Sequence, residues 1–356
     1  ALILRLLYSL YPQIRWAFVY VDDYILILRG DTSAQLTIAI ITTLYAMGCP
    51  VSWKKTCLGE INHWLGYQVD STRITACLTH DKQITITAIL RKLMQGDMQC
   101  AADVRSLAGR LQWATAICLP IRPFLQPLYA WMAAMNARES REHRKAWGRP
   151  PQVLVMLAET MLDLINEDPT SPMPPAASLN ITAATDAGAN DTEATIGGWY
   201  STLREPKKNQ VHWFCMPITR EAHKWAYDLN TPQQRIAAME LYATLILMKH
   251  ISANSLDMAV QLPMVTDNMG NAYAVTDYHC RKWPNSAILM EMALTQHHHR
   301  LRAAVTHVHR ENNTWADQLT HHDTKGFSQA LEMSIRPANI RWHILHKFDT
   351  FNPILT

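Results

Sequence analysis

Between Asp168 and Pro175 the chain places four prolines in eight residues, Asp168-Pro169-Thr170-Ser171-Pro172-Met173-Pro174-Pro175. Proline lacks the backbone N–H that a helix or a sheet ladder needs, and its ring clashes with the preceding turn, so neither kind of element can run through this stretch. A boundary is expected here, and it leaves a length on each side that can build its own core. With 48% apolar residues the chain has the material for such cores, which excludes a disordered or fibrous protein.

Charge narrows the reading further. Lys and Arg number 33 against 30 Asp and Glu, a net charge of +3, so any contact with nucleic acid must be local rather than driven by a global basic field. Seven cysteines with no Cys-x-x-Cys pair argue against a disulfide framework and a cysteine zinc site. No apolar run approaches the ~18 residues of a membrane span, and the first residues given show no cationic segment followed by a small-residue cleavage site. The expected setting is intracellular, cytoplasmic or nuclear, with no membrane partner. The chain begins at Ala1, and we expect a piece of something longer.

Upstream of the prolines, Trp16 to Leu28 reads as strand on both sides of Asp22-Asp23, followed by a helix from Ala34 to Met47 that stops at Gly48. Short strands are expected around Asn62 to Val69 and Ile74 to Leu78, then helices near Thr85 to Met94, Ala102 to Cys118, and Tyr129 to Trp147. Downstream, strands are expected at Ile181 to Thr185, Ile196 to Tyr200 and Val211 to Met216. A long helix from Pro232 to Lys249, a strand from Val260 to Thr266, a helix, a strand from Ala303 to His309 and a last helix follow. Hairpin strands succeeded by alternating helices and strands make an α/β fold with a mixed sheet flanked by helices.

Two acidic constellations stand out. In Phe18-Val19-Tyr20-Val21-Asp22-Asp23-Tyr24-Ile25-Leu26, adjacent carboxylates interrupt an apolar run, which is tolerable if they sit at a hairpin tip or bind a cation. Read alone, an ordinary Asp-rich turn has equal standing. In the second half, Asp186 is expected to close one strand and Asp267 another. Glu240 projects from an uncharged stripe of a helix, since Ile236, Ala237, Ala243 and Thr244 share its face. Asp317 falls early in a helix after Asn312-Asn313, expected as capping residues. Carboxylates at the ends of neighbouring strands, joined by one from a helix packed across them, can converge on one point. There they would repel one another unless a hard divalent cation such as Mg2+ balanced them.

The motifs in order resemble those of retroelement reverse transcriptases, of the DIRS-like or LTR type, carrying a C-terminal ribonuclease H domain. Tyr20-Val21-Asp22-Asp23 resembles the polymerase motif. Gly48-Cys49-Pro50-Val51-Ser52-Trp53-Lys54-Lys55 looks like the segment ending in a lysine near the incoming nucleotide, and His63-Trp64-Leu65-Gly66-Tyr67 looks like the element that grips the primer. Arg105 to Trp113, with Pro120 to Tyr129, is similar to the thumb-side helix. Thr185-Asp186-Ala187 with Gly197-Gly198-Trp199, Met239-Glu240-Leu241-Tyr242, Val265-Thr266-Asp267-Asn268, and His307 to Asp317 resemble the four ribonuclease H motifs.

The resemblance implies a partial polymerase palm and thumb (α+β) followed by a ribonuclease H-like mixed five-stranded sheet flanked by helices. The parts would be 1–85, the C-terminal part of the palm; 86–150, thumb or connection helices; 151–177, a helix and Pro-rich linker; 178–325, the ribonuclease H-like domain; and 326–356, a tail of unassigned role. It implies metal-dependent hydrolysis of the RNA strand of RNA/DNA hybrids. Asp186, Glu240, Asp267 and Asp317 would hold two Mg2+ or Mn2+ ions per active site, and His307 would assist proton transfer or product departure. Asp22 and Asp23 would be the polymerase carboxylates and metal ligands, but a third aspartate is missing from residues 1 to 19, so RNA-directed DNA polymerase activity is expected to be truncated here. Tyr20, Lys55, Trp64 and Gly66 would meet RNA template and DNA primer; Asn268 and Gln234 would meet the hybrid. Other retroelement polyprotein domains are possible partners. The competing expectation is a catalytically incomplete remnant that binds nucleic acid without turnover. His297-His298-His299 and His321-His322 are read as solvated side chains, because adjacent histidines on a regular element point in different directions.

Overall fold

The structure is a computed structural model that describes residues 2–49, 51–142, 145–167, 171–172, 177–229, 231–253 and 259–350. Most of the proline-rich stretch and residues 351–356 therefore lie outside the described residues. The chain forms two compact units, one of residues 1–82 with 170–173 and the other of 83–169 with 174–356.

The first unit opens with helix α1 (Leu2–Leu10), whose Leu7 is fully buried, and the hairpin β1 (Ile14–Tyr20) and β2 (Asp23–Leu28). Helix α2 (Ser33–Ala46) turns Leu36, Ile40 and Leu44 into one core with Leu7 and Ile14, the i, i+4, i+8 spacing that puts side chains on a single helix face. It ends where Gly48 takes φ +75°, a conformation glycine adopts without steric cost. Strands β3 (Ile61–Trp64), β4 (Tyr67–Asp70) and β5 (Thr75–Leu78) form an antiparallel meander. Its first turn is Leu65-Gly66, with positive φ at both residues as a two-residue hairpin loop with right-handed strand twist demands.

In the second unit, helices α3 (His80–Met94), α4 (Ala101–Ala114), α5 (Leu125–Glu142) and α6 (Gln152–Asn166) form a helical layer, with β6 (Gln99–Cys100) and β7 (Trp147–Gly148) pairing over two residues. The helix expected through Trp147 stops at Glu142, and Trp147 joins that short pairing instead. Strand β8 (Ser171–Pro172) pairs with β5 and so counts with the first unit.

Then comes a mixed sheet: β9 (Ala177–Ser178), β10 (Thr182–Ala189), β11 (Ala194–Ser201), β12 (His212–Ile218), β13 (Val260–Thr266) and β14 (Leu301–His307), in the order β12-β11-β10-β13-β14 with β9 on β13. The first three long strands are antiparallel, while β13 lies parallel to both β10 and β14. The five long strands are those expected; the sixth, β9, is a two-residue addition that no alternation of residues announces. Helices α7 (Ile236–Ser252), α8 (Met269–Asp277), α9 (Asn285–His298) and α10 (Thr314–Thr320) cover it. Helices α7 and α9 are buried almost all round, so their apolar residues show no clean stripe.

The segment 341–350, expected as part of a tail, is tied into this core. Glu291 of α9 is 0% exposed and lies 2.7 Å from Lys249 Nζ of α7. Its carboxylate also accepts the backbone N–H of His343, Ile344 and Leu345, at 2.8–3.1 Å. Burial pushes Glu291 up, but the Lys249 ammonium and these N–H groups outweigh it and hold the carboxyl below its ordinary value. Lys249 also donates to Arg341 O and stands over the Trp342 ring, which stacks on Tyr242.

Candidate metal and nucleic-acid site

Asp186 does not close its strand. It sits in the middle of β10, opposite Gly197 of β11, because the antiparallel pairing continues for three more residues to Ala189 and Ala194. Only 5% of Asp186 is exposed. The neighbouring Thr185 Oγ1 lies 3.0 Å from Thr244 Oγ1, which fixes α7 against β10 one turn beyond Glu240. Asp267 follows β13 directly, and His307 ends β14 opposite Thr266, one residue from it. Asp317 lies in the first turn of α10.

Helix α10 can approach because of glycine. A Cβ at Gly197 would stand 2.7 Å from Leu319 Cβ and 3.1 Å from Ala316 O, which no real side chain tolerates without displacement of the helix. Gly197 is thus a seat for the helix that carries Asp317, while a Cβ at Gly198, on the other face of the sheet, would meet Phe214 and Thr185 instead.

The four carboxylates are electrostatic neighbours. Burial, and then the charges of Asp267, Glu240 and Asp317 against the Ala187 N–H that Asp186 accepts at 2.8 Å, push the Asp186 carboxyl up to about 7. Burial and Asp267 likewise raise Glu240 to about 7, against the hydrogen bond from Asn268 and the charge of Arg310. Two acids carried from about 4 to near neutrality by desolvation and like charge form a donor set suited to a hard divalent cation. Yet among the described residues no three His, Cys, Asp or Glu side chains converge closely enough to hold an ion as they stand.

Protein donors hold the carboxylates instead. Asn268 Nδ2 donates to Glu240 Oε2, and Asn271 Nδ2 reaches the same oxygen at 3.3 Å. Asn313 Nδ2 donates to Asp267 Oδ1 at 3.3 Å and to Thr185 O at 3.1 Å. Arg310 Nη2 donates to Asp317 Oδ1 at 3.2 Å, and His321 Nε2 lies 4.0 Å from that oxygen. Each of these contacts occupies a carboxylate oxygen.

Asn313 was expected as a cap. It occupies the N-cap position of α10, but its side chain makes no capping bond; it crosses to β10 and Asp267 instead, and its buried Oδ1 is left without a partner. Reading the sequence missed Asn271 and Arg310 and gave Asn313 only a capping role. The one available signal was Asn268-x-x-Asn271, the spacing of an N-cap and the N–H it accepts, and Asn268 does cap α8 at 3.0 Å. Nothing local marks Asn313, because its partners are more than forty residues away.

Gln234 is exposed in a single helical turn before α7, and Asn268 is engaged by Glu240 and Asn271 rather than pointing free. In the first unit, Val21-Asp22 forms the hairpin turn, with Tyr20 paired to Asp23, both aspartates exposed and Val21 84% exposed at φ +55°. That φ is unfavourable for a β-branched residue. Lys55 is exposed in a loop. Trp64, beside the Leu65-Gly66 turn, is half-buried, its ring 6.3 Å from Phe18 and its buried Nε1 without a partner. His297 pairs with Glu167 at 2.9 Å and His298 packs on His343, so these two histidines are partly engaged rather than solvated.

No protein-family model and no curated protein matches the chain. Among solved structures it is similar to LC11-RNase H1 isolated from compost, in complex with an RNA/DNA hybrid, at 19% identity and TM-score 0.30 over 40% of this chain and 94% of that one. It is similar to RNase H1 from the halophilic archaeon Halobacterium salinarum NRC-1, at 14% identity and TM-score 0.29 over 40% and 96%. A foamy viral protease-reverse transcriptase in complex with dsDNA is similar over 87% of this chain at 15% identity and TM-score 0.34, and the chain spans 58% of its length. No helix among the described residues is long and apolar enough to cross a membrane.

Proposed function

We propose that the mixed-sheet part of this protein hydrolyses the RNA strand of RNA/DNA hybrids in a divalent-metal-dependent reaction, as part of a retroelement reverse transcriptase. The observation that carries the reading is the placement of Asp186 in β10, Glu240 on α7, Asp267 directly after β13 and Asp317 on α10, with the charges of the other three bearing on the buried Asp186 carboxyl. Asp186, Glu240, Asp267 and Asp317 would hold Mg2+ or Mn2+, two ions when fully loaded. Bound there, the ions supply charge to stabilise the attacking and leaving oxygens of a phosphodiester displacement. Buried Asp186 orients the site through β10; Asn268 and Asn271 position Glu240, and Asn313 positions Asp267. His307, at the end of β14 beside Asp267, would shuttle a proton to the departing product. Recognition would rest on phosphates and 2′-hydroxyls rather than base edges, with Asn268 and Gln234 as candidate contacts.

For the first unit we assign Asp22 and Asp23 to part of a polymerase metal clamp, with Tyr20, Lys55, Trp64 and Gly66 near template and primer. Two carboxylates on an exposed tip do not by themselves make that clamp, so DNA synthesis belongs to a larger assembly of the same type. A second reading, binding without turnover, is favoured by the hold of Arg310 and Asn313 on Asp317 and Asp267. One experiment separates the two: cleavage of an RNA-labelled hybrid in Mg2+ or Mn2+, compared with Asp186→Asn. Metal-dependent cleavage that is lost in the variant, with hybrid binding retained, supports hydrolysis. Binding without cleavage by the unaltered chain supports the second reading, and equal cleavage by both proteins rejects the assigned chemistry.

A further inference from the structure

Arg310 pairs with one of the four acids, and its side chain is largely exposed. Its side chain is 79% exposed, in a single helical turn (Arg310–Asn312) just before α10, and among the described residues its side chain bonds Asp317, itself 31% exposed, at 3.2 Å. The guanidinium is therefore the counter-ion of Asp317. A divalent cation at Asp317 would compete with it for Oδ1 and repel it at that range. Once displaced, an exposed guanidinium on a short helical turn beside a phosphodiester-cleaving site would meet the backbone phosphates, whose oxygens match its planar donors as a carboxylate does.

We propose that Arg310 is an exchangeable cation: it holds Asp317 in the metal-free protein, yields that carboxylate to a divalent ion, and then binds a phosphodiester of the nucleic-acid backbone. This rests on the metal-dependent reading above, and it adds a coupling that reading does not require, because by linkage an ion that frees Arg310 strengthens nucleic-acid binding through it.

The test uses the full chain, its Arg310→Gln variant and Arg310→Lys. Calorimetric titration with Mn2+ should show Arg310→Gln binding the ion roughly two- to five-fold more tightly, the range of an exposed ion pair removed, with Arg310→Lys nearer the unaltered chain. Hybrid binding, measured with Ca2+ in place of Mg2+ to restrain turnover, should weaken several-fold in Arg310→Gln, and its salt dependence should fall by about one phosphate contact. In EDTA the same substitution should leave hybrid binding nearly unchanged. Equal Mn2+ affinity in the two proteins, or equal weakening of hybrid binding with and without Ca2+, overturns the exchange. An unaltered chain that takes up no Mn2+ at all overturns the metal-dependent reading as well, which is a different result from uptake that ignores Arg310.

Discussion

Two acidic sites in one chain are built in opposite ways. Asp22 and Asp23 ride the exposed tip of a two-stranded hairpin, where water screens them and the fold asks nothing of them. Asp186 is sunk in the centre of a sheet, and Glu240 projects from a helix buried nearly all round, so the fold bears the cost of their charge. A tip can present carboxylates to a large ligand that arrives with its own cations. A buried cluster instead stores electrostatic tension that a small cation relieves.

That contrast breaks first on activity. Glu240→Gln and Asp267→Asn should each lower hybrid cleavage by roughly 10³-fold or more, while Asp22→Asn and Asp23→Asn should leave it within about two-fold, in initial-rate assays with Mg2+. Comparable losses at both sites would mean the two acidic sites act as one.

Next in size is stability away from the acids. Glu291→Ala should cost roughly 3–5 kcal/mol in chemical unfolding, because it leaves Lys249 buried without its carboxylate and three N–H groups without an acceptor. Asp22→Ala, on the exposed tip, should change stability by less than about 0.5 kcal/mol. Gly197→Ala should cost about 1–3 kcal/mol through overpacking against Leu319 and Ala316, and it should lower cleavage with it, since the displaced helix carries Asp317.

The smallest effect concerns pH. Asp186 and Glu240 have folded-state values of about 7, above those of the unfolded chain, so the native state keeps protons that the unfolded state has lost. Below about pH 4 both states are protonated and the groups contribute nothing. As pH rises from about 4 to about 7, stability in EDTA should fall, and it should level off above. Asp186→Asn should flatten that decline and raise stability above pH 7 by about 1–2 kcal/mol, and saturating Mg2+ should flatten it in the unaltered chain, as thermal melts across pH would read. The Asp22→Asn variant should follow the unaltered curve.

How much of this was legible beforehand depends on sequence distance. The hairpin around Asp22-Asp23, helix α2 ending at Gly48 and strand β13 over Val260 to Thr266 follow from turn residues, apolar spacing and chain punctuation, all local. The end of β10 was misjudged by four residues, because its extension depends on pairing with β11 and not on its own side chains. Nothing local marks Glu291, since the N–H groups that satisfy it lie more than fifty residues on.

By itself the sequence determined which acids stand at which positions, that glycines precede Trp199, and that helices and strands alternate after the prolines, because residue type and short-range periodicity act within a few residues. Only the tertiary structure decided that Asp186 lies mid-strand and buried, that Asn313 forsakes its cap for Asp267, and that Arg310 pairs with Asp317. Charge interaction, desolvation and close packing depend on distance through space, and that is set by which strands pair.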